Sequence, residues 1–162
     1  MMIRPATAAD AGQISTIIRT AFADVAFRFG LNPDNCPRHP SNCQEEWIAD
    51  ALAKGTLYFI FESDEGATGC AALEHPQAEV CYLERLAVLP EHRRRGVGKT
   101  LVKHVLEEAR QLLAQRVEIG IIAAHTELHA WYADLGFVPT HQAEFAHLPF
   151  TVQFMQCKLA AL

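Results

Sequence analysis

The stretch that leaves this chain the fewest choices runs from Val88 to Thr100: Val-Leu-Pro-Glu-His-Arg-Arg-Arg-Gly-Val-Gly-Lys-Thr. It follows an apolar segment with strand character that begins near Tyr82, and Pro90 breaks that strand. Arg93, Arg94 and Arg95 come next, and Gly96 and Gly98 open a long amphipathic segment. Strand, turn and glycine-rich helix start, in that order, make an anion-binding geometry. Small residues admit an anion to the backbone, and the unpaired N–H groups of a first helical turn point at it. The arginine side chains and Lys99 are expected to add charge-assisted contacts.

Three phosphate-binding patterns compete for this stretch. Gly98-Lys99-Thr100 matches the end of a P-loop, but that loop needs glycine at position 93, which is Arg93. A dinucleotide fingerprint needs glycine at position 101, which is Leu101. Arg-x-x-Gly-x-Gly at Arg93, Gly96 and Gly98, placed after Val-x-Pro, fits better. It resembles the coenzyme A pyrophosphate loop of the GCN5-related N-acetyltransferase (GNAT) superfamily. The resemblance implies that backbone amides of Arg94, Arg95, Gly96, Val97, Gly98 and Lys99 wrap a pyrophosphate, with the Thr100 hydroxyl as an extra donor. It also implies that the backbone of Leu86, Ala87 and Val88 pairs with the pantetheine arm like an added strand. The bland alternative is a solvated basic turn capping an ordinary helix.

The chain has 162 residues and a net charge of −5, so one domain spanning 1–162 is expected. An acidic chain is a poor sequence-independent binder of nucleic acid, and a local arginine cluster on that background favours a small phosphate ligand. No signal peptide opens the sequence and no apolar run is long enough to span a bilayer, which points to a cytoplasmic protein with no membrane partner. The five cysteines then read as reduced thiols.

Taken in order, Ile3 to Ala6 is a short strand, and Thr7-Ala8-Ala9-Asp10 resembles a capping box. Apolar positions at helical spacing from Ile14 to Val25 predict a helix ending near Phe27–Gly30. Three prolines between Pro33 and Pro40 forbid regular structure in 30–43. Cys36, His39 and Cys43 there could donate metal ligands, but the spacing matches no common zinc signature, so no metal is expected. Ser41 or Asn42 should cap a second helix, with Trp47, Ile48, Ala51 and Leu52 facing the core. Leu57–Phe61 and Ala67–Leu73 read as an antiparallel pair around Asp64-Glu65-Gly66, and Glu79–Val88 as the next strand. After Gly98, a stripe from Leu101 through Leu112 and Leu113 predicts a helix of about four turns, with His104 facing water. Val117–Ala123 reads as a buried strand parallel to 79–88. A short helix over Thr126–Leu135 and a strand after Gly136-Phe137 follow, and a final strand at Thr151–Leu159 closes the sheet. The fold class expected is mixed α/β: a mostly antiparallel sheet of six or seven strands with a parallel pair at its centre, flanked by about four helices.

His129-Ala-Trp-Tyr132-Ala-Asp-Leu-Gly136-Phe137 is similar to the Tyr-x-x-x-Gly-Phe segment of the same superfamily. Loop, crossover helix and Tyr segment stand in family order over about residues 80–140. The resemblance implies an N-acetyltransferase that passes acetyl from acetyl-CoA directly to a primary amine, small molecule or peptide. It implies that Tyr132 protonates the departing thiolate, and it leaves room for a homodimer through the sheet edge and final strand.

An amine with a pKa near 10 must lose a proton before it attacks a thioester, and a strand N–H near Leu86–Val88 can hold the developing oxyanion. Strand alternation puts Tyr82, Glu84, Leu86 and Val88 on one face unless a bulge intervenes. That makes Glu84 the candidate base, with a pKa raised by burial. Some family members carry their base one alternation earlier, where this chain has Tyr82, so Glu79, His75 or a water chain stay open. His125 and His129 could relay protons or line the pocket. Cys70 and Cys81 read as core. Phe27, Phe29, Cys36, His39, Phe145, His147 and Phe150 are expected to line a partly aromatic acceptor pocket. The rival classes are a non-catalytic coenzyme A-binding module and a P-loop nucleotide-binding protein.

Overall fold

The alternating and helical-period stretches become seven strands and four helices in a computed structural model, which describes residues 1–161. In chain order these are β1 (Met2–Pro5), α1 (Ala11–Arg28), α2 (Glu45–Ala53), β2 (Leu57–Ser63), β3 (Gly66–Gln77), β4 (Val80–Val88), α3 (Val97–Gln111), β5 (Arg116–Ile122), α4 (Thr126–Asp134), β6 (Val138–Ala143) and β7 (Val152–Lys158). The sheet order is β1-β2-β3-β4-β5-β7-β6. Every pair is antiparallel except β4–β5, the parallel crossover through α3. The final strand therefore does not close the sheet. It inserts between β5 and β6, because β6 arrives first and is left at the edge.

The helices divide the two faces of the sheet. Ile14, Ile17, Ile18 and Ala21 of α1 pack with Ile48 of α2 on Tyr58, Ile60, Cys70, Ala72 and Ala87. On the other face Leu101, Val102, Val105 and Ala109 of α3 pack on Phe59, Ala71, Leu83 and Val117, joined by Tyr132 of α4. Leu101, Val102 and Val105 are fully buried, each contributing about 1.5–3 kcal/mol relative to exposure. The stripe stops sooner than its sequence period implies. Leu113 takes a left-handed φ of 64°, which ends the helix and leaves Leu112 and Leu113 exposed. His104 is only partly exposed; its ring meets Phe59 edge-on at 4.6 Å.

At the start of the chain, Asp10 accepts the Thr7 backbone N–H at 2.8 Å and is gripped by both terminal nitrogens of Arg4. The helix α2 is capped at Gln44 rather than Ser41 or Asn42. Those two residues are engaged inside the 30–43 segment, where Ser41 meets His39 Nδ1 at 2.7 Å and Asn42 donates to the Cys36 carbonyl. Cys36, His39 and Cys43 are buried. Among the described residues no group of three or more His, Cys, Asp or Glu side chains is placed to hold a metal, and no helix is long and apolar enough to cross a membrane.

Candidate active site

The parallel pair is short. β4 and β5 pair only from Val80–Tyr82 to Arg116–Glu118, after which the two strands part. β5 stays paired with β7 as far as Ile122, and β4 stays paired with β3 as far as Val88. The edge of β4 that faces β5 is thus open beyond Tyr82. The Leu89 N–H donates to Thr68 O of the preceding chain segment at 2.9 Å. Since N–H directions alternate along a strand, those of Val88 and Leu86 point away from β3, into the opening.

The loop that follows is folded as a cradle. Arg94 and Gly96 both take left-handed conformations, with φ of 63° and 82°. The first backbone bond of α3 runs from Thr100 N–H to Gly96 O at 3.0 Å, so the N–H groups of Val97, Gly98 and Lys99 are left without helical partners. Gly98 leaves little room for a side chain: a Cβ there would lie 3.3 Å from the Trp131 ring of α4. Successive free N–H groups at a helix start, with room for a ligand to approach the backbone, fit a pyrophosphate.

The side chains of this loop do less than their charges imply. Arg93 does not extend toward the cradle. Its Nη1 donates to Asp24 at 2.7 Å and its Nη2 to the Ala21 carbonyl at 2.7 Å, tying the loop to α1. Arg95 pairs with Glu65 at 3.2 Å. The Thr100 hydroxyl donates to Gly96 O at 2.8 Å. Arg94 and Lys99 are exposed and form no ion pair among the described residues.

A bulge re-phases β4 at the mouth of the opening. Ala72 faces Glu84 and Cys70 faces Ala87, so Arg85 and Leu86 together oppose Ala71, and Arg85 takes a φ of 50°. One extra residue reverses the alternation. Glu84 and Leu86 are therefore on opposite faces, contrary to the period-two expectation. Leu86 and Val88 pack against the α3 cluster, whereas Glu84 and Arg85 line a cleft of about 230 Å³ on the α2 side with Arg38, Trp47, Tyr58 and Glu74.

In this cleft the Glu84 carboxyl is pushed up to about 7, by partial desolvation on the cleft floor and by the charge and hydrogen bond of Glu74, against a smaller pull from Arg85. Its outer side is open to water, which weakens the desolvation, so the like charge of Glu74 is the firmer cause. Tyr58, buried beside Arg85 and accepting its Nη1–H at 3.3 Å, is pushed up to about 12 by burial.

Tyr132 is almost fully buried between Trp131 and Phe137, edge-on to both at 5.0 and 5.3 Å. Burial alone drives its hydroxyl well above the usual range, so it holds its proton at neutral pH. His125 stands against Phe29 at 5.6 Å, its Nδ1 buried without a hydrogen-bond partner. His75 and Glu79 do not line the cleft. Cys70 and Cys81 are wholly buried, and burial raises both thiols, which suits core residues. The expected aromatic pocket is not formed as such. Phe27 is 92% exposed, while Phe29, Phe150 and Cys36 pack into a small cluster with Leu31 and Ile122. Arg38, Trp47, Tyr58, Glu74 and Arg85 were the cleft residues that sequence reasoning missed.

The two strands thus splay apart beside a loop of unpaired amides. Residues 22–137 match the model of the acetyltransferase (GNAT) family. The chain belongs to that family and is an N-acetyltransferase by class. Among curated relatives it is 27% identical over 139 residues to the uncharacterized N-acetyltransferase YjgM of Escherichia coli, covering 84% of this chain and 81% of that protein. Among solved structures it is similar to the ribosomal-protein-S18-alanine N-acetyltransferase of Escherichia coli, with TM-score 0.78, 17% identity, and coverage of 99% of this chain and 95% of that one. It is also similar to yncA of Salmonella typhimurium, solved with its cofactor acetyl-CoA, with TM-score 0.72, 22% identity, and coverage of 100% and 95%.

Proposed function

We propose that the chain transfers an acetyl group from acetyl-CoA to a primary amine by direct attack within a ternary complex. The observation that carries this reading is the open edge of β4 beyond Tyr82, running directly into the free amides at the start of α3. Acetyl-CoA supplies an activated acyl carbon joined to a good thiolate leaving group.

The chain's own residues do the rest. The amides of Val97, Gly98 and Lys99 hold the pyrophosphate, and the backbone of Leu86, Ala87 and Val88 holds the pantetheine arm. Glu84 accepts the proton that the acceptor ammonium must lose, a task that suits a carboxyl titrating near neutrality. As the N–C bond forms and the C–S bond breaks, the N–H of Leu86 or Val88 holds the developing oxyanion. The Tyr132 hydroxyl gives its proton to the departing sulfur and regains, through water, the second proton that the nitrogen sheds on becoming an amide. Burial keeps that hydroxyl protonated, so it is available to hydrogen-bond the sulfur as negative charge develops there.

The test is thermal stabilisation by acetyl-CoA, coenzyme A and ATP–Mg²⁺, followed by thiol release with a panel of amines. Ligand binding to the native state at a hundredfold excess over its dissociation constant stabilises by about 2.7 kcal/mol. Stabilisation by the coenzyme A compounds with amine-dependent thiol release supports the reading. Stabilisation without transfer to any amine leaves a binding module, and stabilisation by ATP–Mg²⁺ alone removes the assignment.

A further inference from the structure

The cleft beside Glu84 carries both charges: Arg38, Lys54 and Arg85 line it together with Asp50, Glu74 and Glu84. Arg38 lies over the Trp47 ring at 4.1 Å, and Arg85 approaches the same ring at 5.7 Å. Arg85 is the unusual member. It is half-buried at the cleft floor, its one side-chain hydrogen bond goes to a neutral phenol, and Glu84 acts on it only through space. Among the described residues neither Arg85 nor Arg38 forms an ion pair, whereas Arg93 pairs with Asp24 and Arg4 with Asp10. A partly desolvated guanidinium without an anion is costly to keep, and its planar fork matches a carboxylate.

The geometry points to an acceptor that carries both an amine and a carboxylate, a free amino acid or a compound of that kind. Arg85, helped by Arg38, holds the carboxylate, while Glu74 and Glu84 face the amine. A volume of about 230 Å³ falls below the roughly 300–1,000 Å³ of drug-sized sites, which suits a small zwitterion better than an extended chain. The bulge explains how the residues come together: by inserting one residue it places Arg85 beside Glu84 on the cleft instead of across the sheet from it. This proposal rests on the acetyl-transfer reading above, and names its substrate class.

The experiment compares free amino acids with their amides and with the corresponding decarboxylated amines. Thiol release with acetyl-CoA is one readout, and thermal stabilisation of the coenzyme A-bound protein is the other. The expected result is a ten- to hundredfold preference in kcat/KM for at least one free amino acid over its amide, expressed in KM. Arg85→Gln should bring that preference close to one, and Arg38→Gln, at an exposed position, should reduce it in the same direction. Stabilisation by the amino acid but not the amide, lost in Arg85→Gln, supports the carboxylate site even if no acetyl transfer occurs, so the two readings fail separately. Equal or better use of amides or decarboxylated amines, with no stabilisation specific to the carboxylate, overturns the proposal. So does an unchanged preference in both arginine variants.

Discussion

Arg93 Nη1 lies 2.7 Å from Asp24 Oδ2, a bond between residues 69 positions apart that anchors the loop before α3 to the first helix. Through it the loop is positioned before any ligand arrives, and the arginine in the family-like pattern serves as a tether.

Arg93→Ala should therefore lower stability by about 1 kcal/mol, combining a weak exposed ion pair with a lost bond to the Ala21 carbonyl. It should also weaken acetyl-CoA binding with little change in salt dependence. Arg94→Ala should leave the melting temperature alone and reduce the salt dependence of binding. Asp24 is pulled up by partial burial, but the Arg93 hydrogen bond and charge hold it below its usual value. Its contribution is then present above the ordinary carboxylate pKa and is lost as pH falls through the lowered one. Melting curves of wild type and Arg93→Ala should converge on acidification, which differential scanning fluorimetry between pH 3 and about 7 would check.

Gly98→Ala should force Trp131 to shift, because the new Cβ would stand 3.3 Å from its ring. Acetyl-CoA affinity should fall tenfold or more while the apo protein stays folded. Titration by isothermal calorimetry would measure it, and unchanged affinity would remove the cradle as the pyrophosphate site.

For Tyr132→Phe, kcat should drop by about 10²-fold or more with the KM for acetyl-CoA nearly constant, as expected when a proton donor is lost from the transition state alone. The ring contacts with Trp131 and Phe137 are kept, so stability should change little. Steady-state kinetics beside a melting curve separates the two effects.

With Glu84 titrating at about 7, the active form is the deprotonated one. Turnover should be present above pH 7 and fall as pH drops through it. Glu84→Gln should abolish that limb and lower kcat by about 10²-fold. Glu74→Gln should move the limb to lower pH, because it removes the like charge that raises Glu84. A pH–rate series on the three proteins decides this.

The sequence made the donor half of the site readable because that half is local. A proline stop, glycines where a left-handed turn and a tight helix approach need them, and a tyrosine segment at fixed separation all sit within about sixty residues, in order. The parallel crossover through α3 followed from the same run. The acceptor half was not readable. Its bulge turns at Arg85, whose positive φ no glycine announces, and the extra residue moved Glu84 off the face that alternation assigned it. The helix end at Leu113 was hidden in the same way. Arg38 and Arg85 share the Trp47 ring only because α2 packs across the sheet, a long-range consequence that no local spacing encodes.

The single inserted residue on β4 also partitions what can change from what cannot. Leu86 and Val88 belong to one side of the sheet and Glu84 and Arg85 to the other. On the reading proposed above, substitutions around Trp47, Glu74 and Arg85 would alter which amine enters while the backbone amides of Val97, Gly98 and Lys99 stay in place. One strand thus gives natural variation a fixed half and a free half, and descendants of this chain can acquire new acceptors one side chain at a time.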